Sequence, residues 1–274
     1  MLYALLLIGF GVIPSGYALY LAFTKANGSY AGLANFFSTA RDFRFVTAFE
    51  NVGVYLLVWL PSLVFATVGI ALMLNGRAQR LSDTLRFLYY IPGAFVGAAS
   101  VLVWLFMLDP TVSPIGWLLG LLGYHSFGTT ILPQHLPVIL TIMAFWTGAG
   151  GWILVMHGAL NNIPRSTIEA AIIDGSNRLQ VAWHVQVPLI KKWIAYMVIL
   201  AFAGGTQLFV EPQLLGQASF GAINPSWSPN QLAYQYAFQQ NDFNGAAAIS
   251  IDLLMLGLVA AIVIVTRTGF FRTE

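Results

Sequence analysis

The apolar residues of this chain come in runs too long for the helices of a soluble core. Six stretches, about 2–23, 50–74, 87–108, 136–158, 193–215 and 246–266, carry few charges. An α-helix rises 1.5 Å per residue and needs about 20 apolar residues to cross the hydrocarbon of a bilayer. The pattern therefore predicts an all-α, polytopic membrane protein: one transmembrane domain over 1–274 with about six spans. Glycines interrupt the fourth stretch (Gly148, Gly150, Gly151) and the fifth (Gly204, Gly205), where they let helices approach closely. The longest polar connection, 159–192, has about 34 residues, too few for a core of its own.

Composition agrees. The chain is 58% hydrophobic and 8% charged, against roughly 25% charged residues in soluble domains. So few charges cannot cover a water-facing surface, and lipid must solvate most of the chain. The first run starts at Met1 without a basic segment or a small-residue cleavage site, so it reads as a retained span. With no cysteine, disulfides, thiolate metal sites and a thiol nucleophile are excluded.

The placement of positive charge orients the spans. Arg77, Arg80, Arg86, Arg165, Arg178, Lys191, Lys192, Arg267 and Arg272 fall on one side, and only Lys25, Arg41 and Arg44 on the other. That bias puts both termini and the loop 159–192 in the cytosol. Two opposite loops carry Trp117, Tyr124, Trp227, Tyr234 and Tyr236, residues that suit a membrane interface.

Several chemistries are missing. There is no phosphate-cradling GxxxxGK[ST] loop and no HExxH. The four histidines are scattered, and His125 and His135 read as polar loop residues, so no metal site is expected. Intramembrane carboxylates are essentially Glu211 and Asp252, few for the titratable relay of an ion-coupled secondary transporter. A membrane-embedded enzyme would need His, Asp or Glu clustered at one interface, and none is seen. The chain is expected to be no enzyme and to bind no cofactor, and nothing in it calls for nucleic acid. Any energy it uses has to come from another subunit.

The cytosolic island from Ile163 to Lys192 is the most informative stretch. Pro164, then Ser166, Thr167 and Glu169, reads as a helix start with capping hydroxyls and an acid near the positive end of the dipole. Ala170 and Ala171 leave room for a close neighbour, and Gly175 ends the helix. Asp174, taken alone, reads as no more than a cap for the helix that follows, which runs from about Ser176 to Val187 and leads to Pro188. Ile168, Ile172 and Leu179 form an apolar face. Periodicity fits docking into another protein and resting on lipid equally well.

The spacing of Glu169-Ala170-Ala171, Asp174-Gly175 and Pro188 resembles the EAA loop of binding-protein-dependent ABC importers. Further residues resemble the permease subunits of their carbohydrate branch, close to the maltose and glycerol-phosphate types. They are Gly32-Leu33-Ala34-Asn35-Phe36, Tyr90-Ile91-Pro92 with Trp104, Phe209 with Glu211-Pro212, and Tyr236 and Phe238 with Phe243-Asn244-Gly245-Ala246-Ala247. Departures are Ala182, His184 and Val187 within the loop and the stretch Gly216–Gly221 after the fifth span. The resemblance implies a coupling helix between the fourth and fifth spans that sits on an ATPase subunit. Glu169 would contact that subunit, Ala170 and Ala171 would pack closely, and Gly175 would set the angle between two helical pieces. Asp174 would belong with Glu169, Ala170, Ala171, Gly175 and Pro188 to one docking motif. It also implies a second, non-identical permease, two ATPase subunits holding ATP and Mg, an external binding protein and a sugar or polyol cargo. The outer loops hold no basic cluster, which speaks against a highly anionic ligand.

A sugar path needs hydrogen-bonding groups and aromatic surface. Trp104, Trp146, Gln207, Glu211 and Asp252 are the candidates, Trp146 and Gln207 foremost. A carboxylate at membrane depth costs roughly 2.5–3.5 kcal/mol on insertion scales. Such groups are therefore aimed at a cavity or a partner helix, and for any single one a helix–helix hydrogen bond is the simpler account.

Overall fold

A computed structural model describes residues 2–75, 84, 88–95 and 97–268. Arg77, Arg80, Arg86, Arg272 and the expected start of the third span at Phe87 lie outside the described residues. Helices and turns account for nearly all of the rest, and an antiparallel bridge joins Thr24 to Tyr30.

Among the described residues, four helices are long and apolar enough to cross a membrane: Leu2–Ala22, Phe43–Asn75, Pro133–Asn161 and Phe243–Arg267. They match the first, second, fourth and sixth expected spans, and the second begins seven residues earlier than the pattern placed it. The third and fifth differ from the expectation of continuous helices. Leu88–Ala94 and Ala98–Leu108 meet at 112°, next to Gly97 with its φ of +61°. The fifth expected span, 193–215, stops at Gly205; a separate helix, Val210–Ala218, follows a break at Thr206–Phe209. At its other end, Arg178–Leu189 meets Lys191–Gly205 at 67°. If each bent pair is one span, the count reaches six.

Proline leaves a local mark at two places. A proline has no N–H to donate and its ring crowds the carbonyl four residues earlier. Before Pro14 the first helix widens into a π-turn over Ile8–Val12, and before Pro188 a π-turn spans Ala182–Gln186. An extra residue per turn relieves the clash without breaking the helix.

The main core lies between the second and fourth helices and takes in Lys191–Gly205 and Val210–Ala218. Tyr55, Leu63, Leu140, Met156, Met197 and Leu215 are fully enclosed there. The expected close packing at glycines holds for two of the five. A side chain at Gly150 would run into the backbone of Tyr89 and Tyr90, and one at Gly205 into Leu56. Gly148, Gly151 and Gly204 have no such neighbour.

A polar cluster joins the start of the second helix to the segment before the sixth. Arg44 forks onto Asp42, with Nη2 2.6 Å from Oδ2, and its Nη1 donates to Gln235 Oε1 at 2.8 Å. The Tyr236 hydroxyl donates to Asp42 Oδ2 at 2.9 Å. The Arg44 hydrogen bond holds the Asp42 carboxyl down at about 2, and burial followed by the hydrogen bond to Asp42 pushes the Tyr236 phenol up to about 12.

Candidate functional site: the coupling segment

Pro164 sits just ahead of the helix Arg165–Ile173 with extended backbone (φ −57°, ψ 133°). No side chain caps this helix; the Thr167 amide instead donates to the Pro164 carbonyl at 3.1 Å. The hydroxyl caps and first-turn acid expected from the sequence are therefore not there: Glu169 lies one turn further in, away from the unpaired amides.

The far end follows a fixed geometry. Gly175 adopts a φ of +87°, and its amide donates to Ile172 O while that of Ser176 donates to Ala171 O, both at 3.0 Å. These are the paired bonds of a Schellman termination, which needs a left-handed residue at the position of Gly175. Asn177, not Asp174, caps the second helix: its Oδ1 accepts from Gln180 N at 2.9 Å and Gln180 Oε1 accepts from Asn177 N at 2.8 Å. The Asn-x-x-Gln spacing is a legible capping-box signal.

No residue of Arg165–Ile173 is buried. Glu169 and Ala170 are exposed, Ala171 is half-buried and Ile173 is 84% exposed. The expected apolar face does form. Ile168, Ile172 and Leu179 line one groove of about 1550 Å³ with Trp183 and, from the second helix, Val64 and Leu72. The opposite side, with Glu169, Ala170 and Ile173, is left uncovered. Pro188 is exposed at the end of the second piece, just before the 67° turn into Lys191–Gly205. The segment is thus a helix ended by a glycine turn and a second helix that starts with a capping box, packed on the main core through Ile163 and Ile190.

Of the five residues expected along a cargo path, two come together. Trp104 and Trp146 meet edge to face with ring centres 5.9 Å apart, and Phe95, which no sequence signal singles out, adds a ring 5.7 Å from Trp146. The Trp104 Nε1 donor is buried without an acceptor among the described residues. Gln207 is exposed in the break before Val210–Ala218, and Glu211 lies in the first turn of that helix, where the dipole favours an acid. Asp252 stands apart on the sixth helix, half-buried. Polar residues outside that expectation hold the break in place: Ser228 Oγ donates to Leu208 O at 2.7 Å, and Gln231 Nε2 to Gln213 Oε1 at 2.9 Å. Among the described residues no group of three His, Cys, Asp or Glu side chains is arranged to hold a metal.

The chain is 25% identical over 270 residues to an arabinooligosaccharide transport system permease protein of Halalkalibacterium halodurans, covering 94% of this chain and 83% of that one. It is also 25% identical over 267 residues to a multiple sugar-binding transport system permease protein of Streptococcus mutans, covering 94% and 90%. A lactose transport system permease protein of Rhizobium radiobacter matches at 25% over 230 residues, covering 83% and 77%. In fold, the chain is similar to a bacterial ABC transporter that imports the acidic polysaccharide alginate (TM-score 0.80, 19% identity, 99% of this chain and 96% of that one). A bacterial alginate ABC transporter in complex with an alginate pentasaccharide-bound periplasmic protein gives a TM-score of 0.81 at 20% identity, covering 100% and 96%. The family model of the binding-protein-dependent transport system inner membrane component matches residues 33–269, and the chain belongs to that family of transport components, which are not enzymes.

Proposed function

We propose that this chain is the membrane-spanning subunit of an ATP-driven importer that takes a sugar or related polyol from an external binding protein into the cytoplasm. The exposed face of Arg165–Ile173, with Glu169 and Ala170, is the docking surface for an ATPase subunit that holds ATP and Mg. Two such subunits and a second, non-identical permease complete the assembly, with both termini and the loop 159–192 in the cytosol. The observation that carries the reading is the coupling segment itself: a helix–glycine–helix element joined to the core at Ile163 and Ile190 yet with no buried residue in its first helix, in a chain with no phosphate-binding loop. Those attachments give a push on the segment a path to the bent helix Lys191–Gly205.

The relatives that are permeases for arabinooligosaccharides, multiple sugars and lactose support a carbohydrate as cargo. The aromatic group Phe95, Trp104 and Trp146 suits the C–H faces of such a cargo, and the unmet Trp104 donor suits a hydroxyl. Gln207, Glu211 and Asp252 supply further polar groups along the path. Uptake of a labelled oligosaccharide into proteoliposomes carrying the assembled importer and its binding protein tests the reading. ATP-dependent accumulation is expected; uptake driven by an ion gradient without ATP would contradict it.

A further inference from the structure

The last carbonyls of a helix have no partner inside it. At the outer end of the first helix, two side-chain amides meet them. Asn35 Nδ2, from the short helix Ala34–Ala40, donates to Ala22 O and Thr24 O, both at 2.8 Å. Asn244 Nδ2, from the first turn of the sixth helix, donates to Leu21 O at 2.9 Å and to the same Thr24 O at 2.8 Å. Thr24 is buried between them.

Asn244 is itself held. The Gly245 amide donates to Asp242 Oδ1 at 2.8 Å, and the Tyr236 ring lies so close that Gly245 has no room for a side chain. Tyr236 belongs to the Asp42–Arg44–Gln235 cluster at the start of the second helix. A continuous run of hydrogen bonds and contacts thus ties the outer ends of the first, second and sixth helices.

Elsewhere the first helix has little to fix it. None of its most apolar window is buried, and Leu2, Tyr3, Leu5, Phe10 and Ile13 all stand exposed. Its contact with the sixth helix is made by the outer half, Ile13–Ala22. Its 21 residues reach about 31 Å, so a tilt of about 6° at the outer end displaces the inner end by about 3 Å.

We propose that Asn35 and Asn244 are positioning residues that set the angle at which the first helix crosses the membrane and make it follow the sixth. Their role is donation to carbonyls rather than the filling of space. The consequence for transport, that the two helices move together, rests on the import reading; the positioning itself does not.

The chain has no cysteine, so two introduced cysteines report alone. Spin labels on Leu5→Cys and Val263→Cys, in the full chain in nanodiscs, read the first helix against the sixth by pulsed dipolar spectroscopy. Labels on Leu57→Cys and Val263→Cys read the second against the sixth. In the variant Asn35→Asp/Asn244→Asp the side chains keep their size but lose the donors. The expected result is a Leu5–Val263 distribution shifted or broadened by about 3 Å or more, with the Leu57–Val263 distribution unchanged. An unaltered Leu5–Val263 distance overturns the proposal, and so does an equal change in both pairs, which means loss of the fold rather than of one angle. Neither distance involves ATP, so the result is independent of the uptake assay that tests the import reading.

Discussion

Gly175 carries a backbone conformation that ordinary side chains adopt at a cost of roughly 1–2 kcal/mol, and it does so between two helices. A Gly175→Val variant is expected to keep ATP hydrolysis in the assembled importer but to lose at least about tenfold in uptake, because the second piece no longer holds its angle. Gly175→Asn, which tolerates the left-handed region, should retain most uptake. Parallel ATPase and uptake assays check the pair, and normal coupling in the valine variant would count against the role. At the start of the second helix, Asp42 works through charge. Its folded pKa lies below the usual 3.8, at about 2, so its contribution is present above the unfolded value and is lost as pH falls from about 3.8 through about 2. Melting temperature in detergent should drop across that window in the parent chain. It should drop less steeply in Asp42→Asn, which is already less stable at neutral pH.

At the scale of elements, the coupling segment depends on its caps. Asn177→Ala removes the capping box and should cost about 1 kcal/mol, felt locally. Faster hydrogen exchange at 178–181 with unchanged exchange in 191–205 is expected; uniform acceleration would show that the two pieces are not separate units. The long helices were legible in the sequence because hydropathy over 20 residues is a strong signal. The breaks were not, because composition stays apolar straight through them: Leu88–Leu108 and 193–215 read as single runs, and only Gly97 and Gly204–Gly205 mark where the chain turns. Gly175 and Pro188 were legible through their spacing, whereas the Schellman bonds to Ala171 and Ile172 and the Asn177–Gln180 cap emerge only with backbone geometry. Along the expected path, Trp104 and Trp146 lie 42 positions apart in the chain, and nothing but packing brings their rings together. Asn35 and Asn244 were visible as parts of family-like motifs, yet their shared target, the end of the first helix, is a tertiary fact.

The whole molecule is a bundle whose core spans the second to fifth helical regions, with the segment Arg165–Leu189 mounted on it and a polar network that joins the first, second and sixth helices at one end. Orientation is open to direct measurement. In right-side-out vesicles Ser38→Cys should react with a membrane-impermeant maleimide and Ser176→Cys should not; the reverse pattern would invert the topology. The central claim, that the exposed face of Arg165–Ile173 docks on an ATPase, is tested most directly by placing a photo-crosslinking group on Ala170→Cys in native membranes. The expected product joins this chain to the ATPase subunit and changes in yield when ATP is added. Crosslinking to lipid alone, with or without ATP, would contradict the claim.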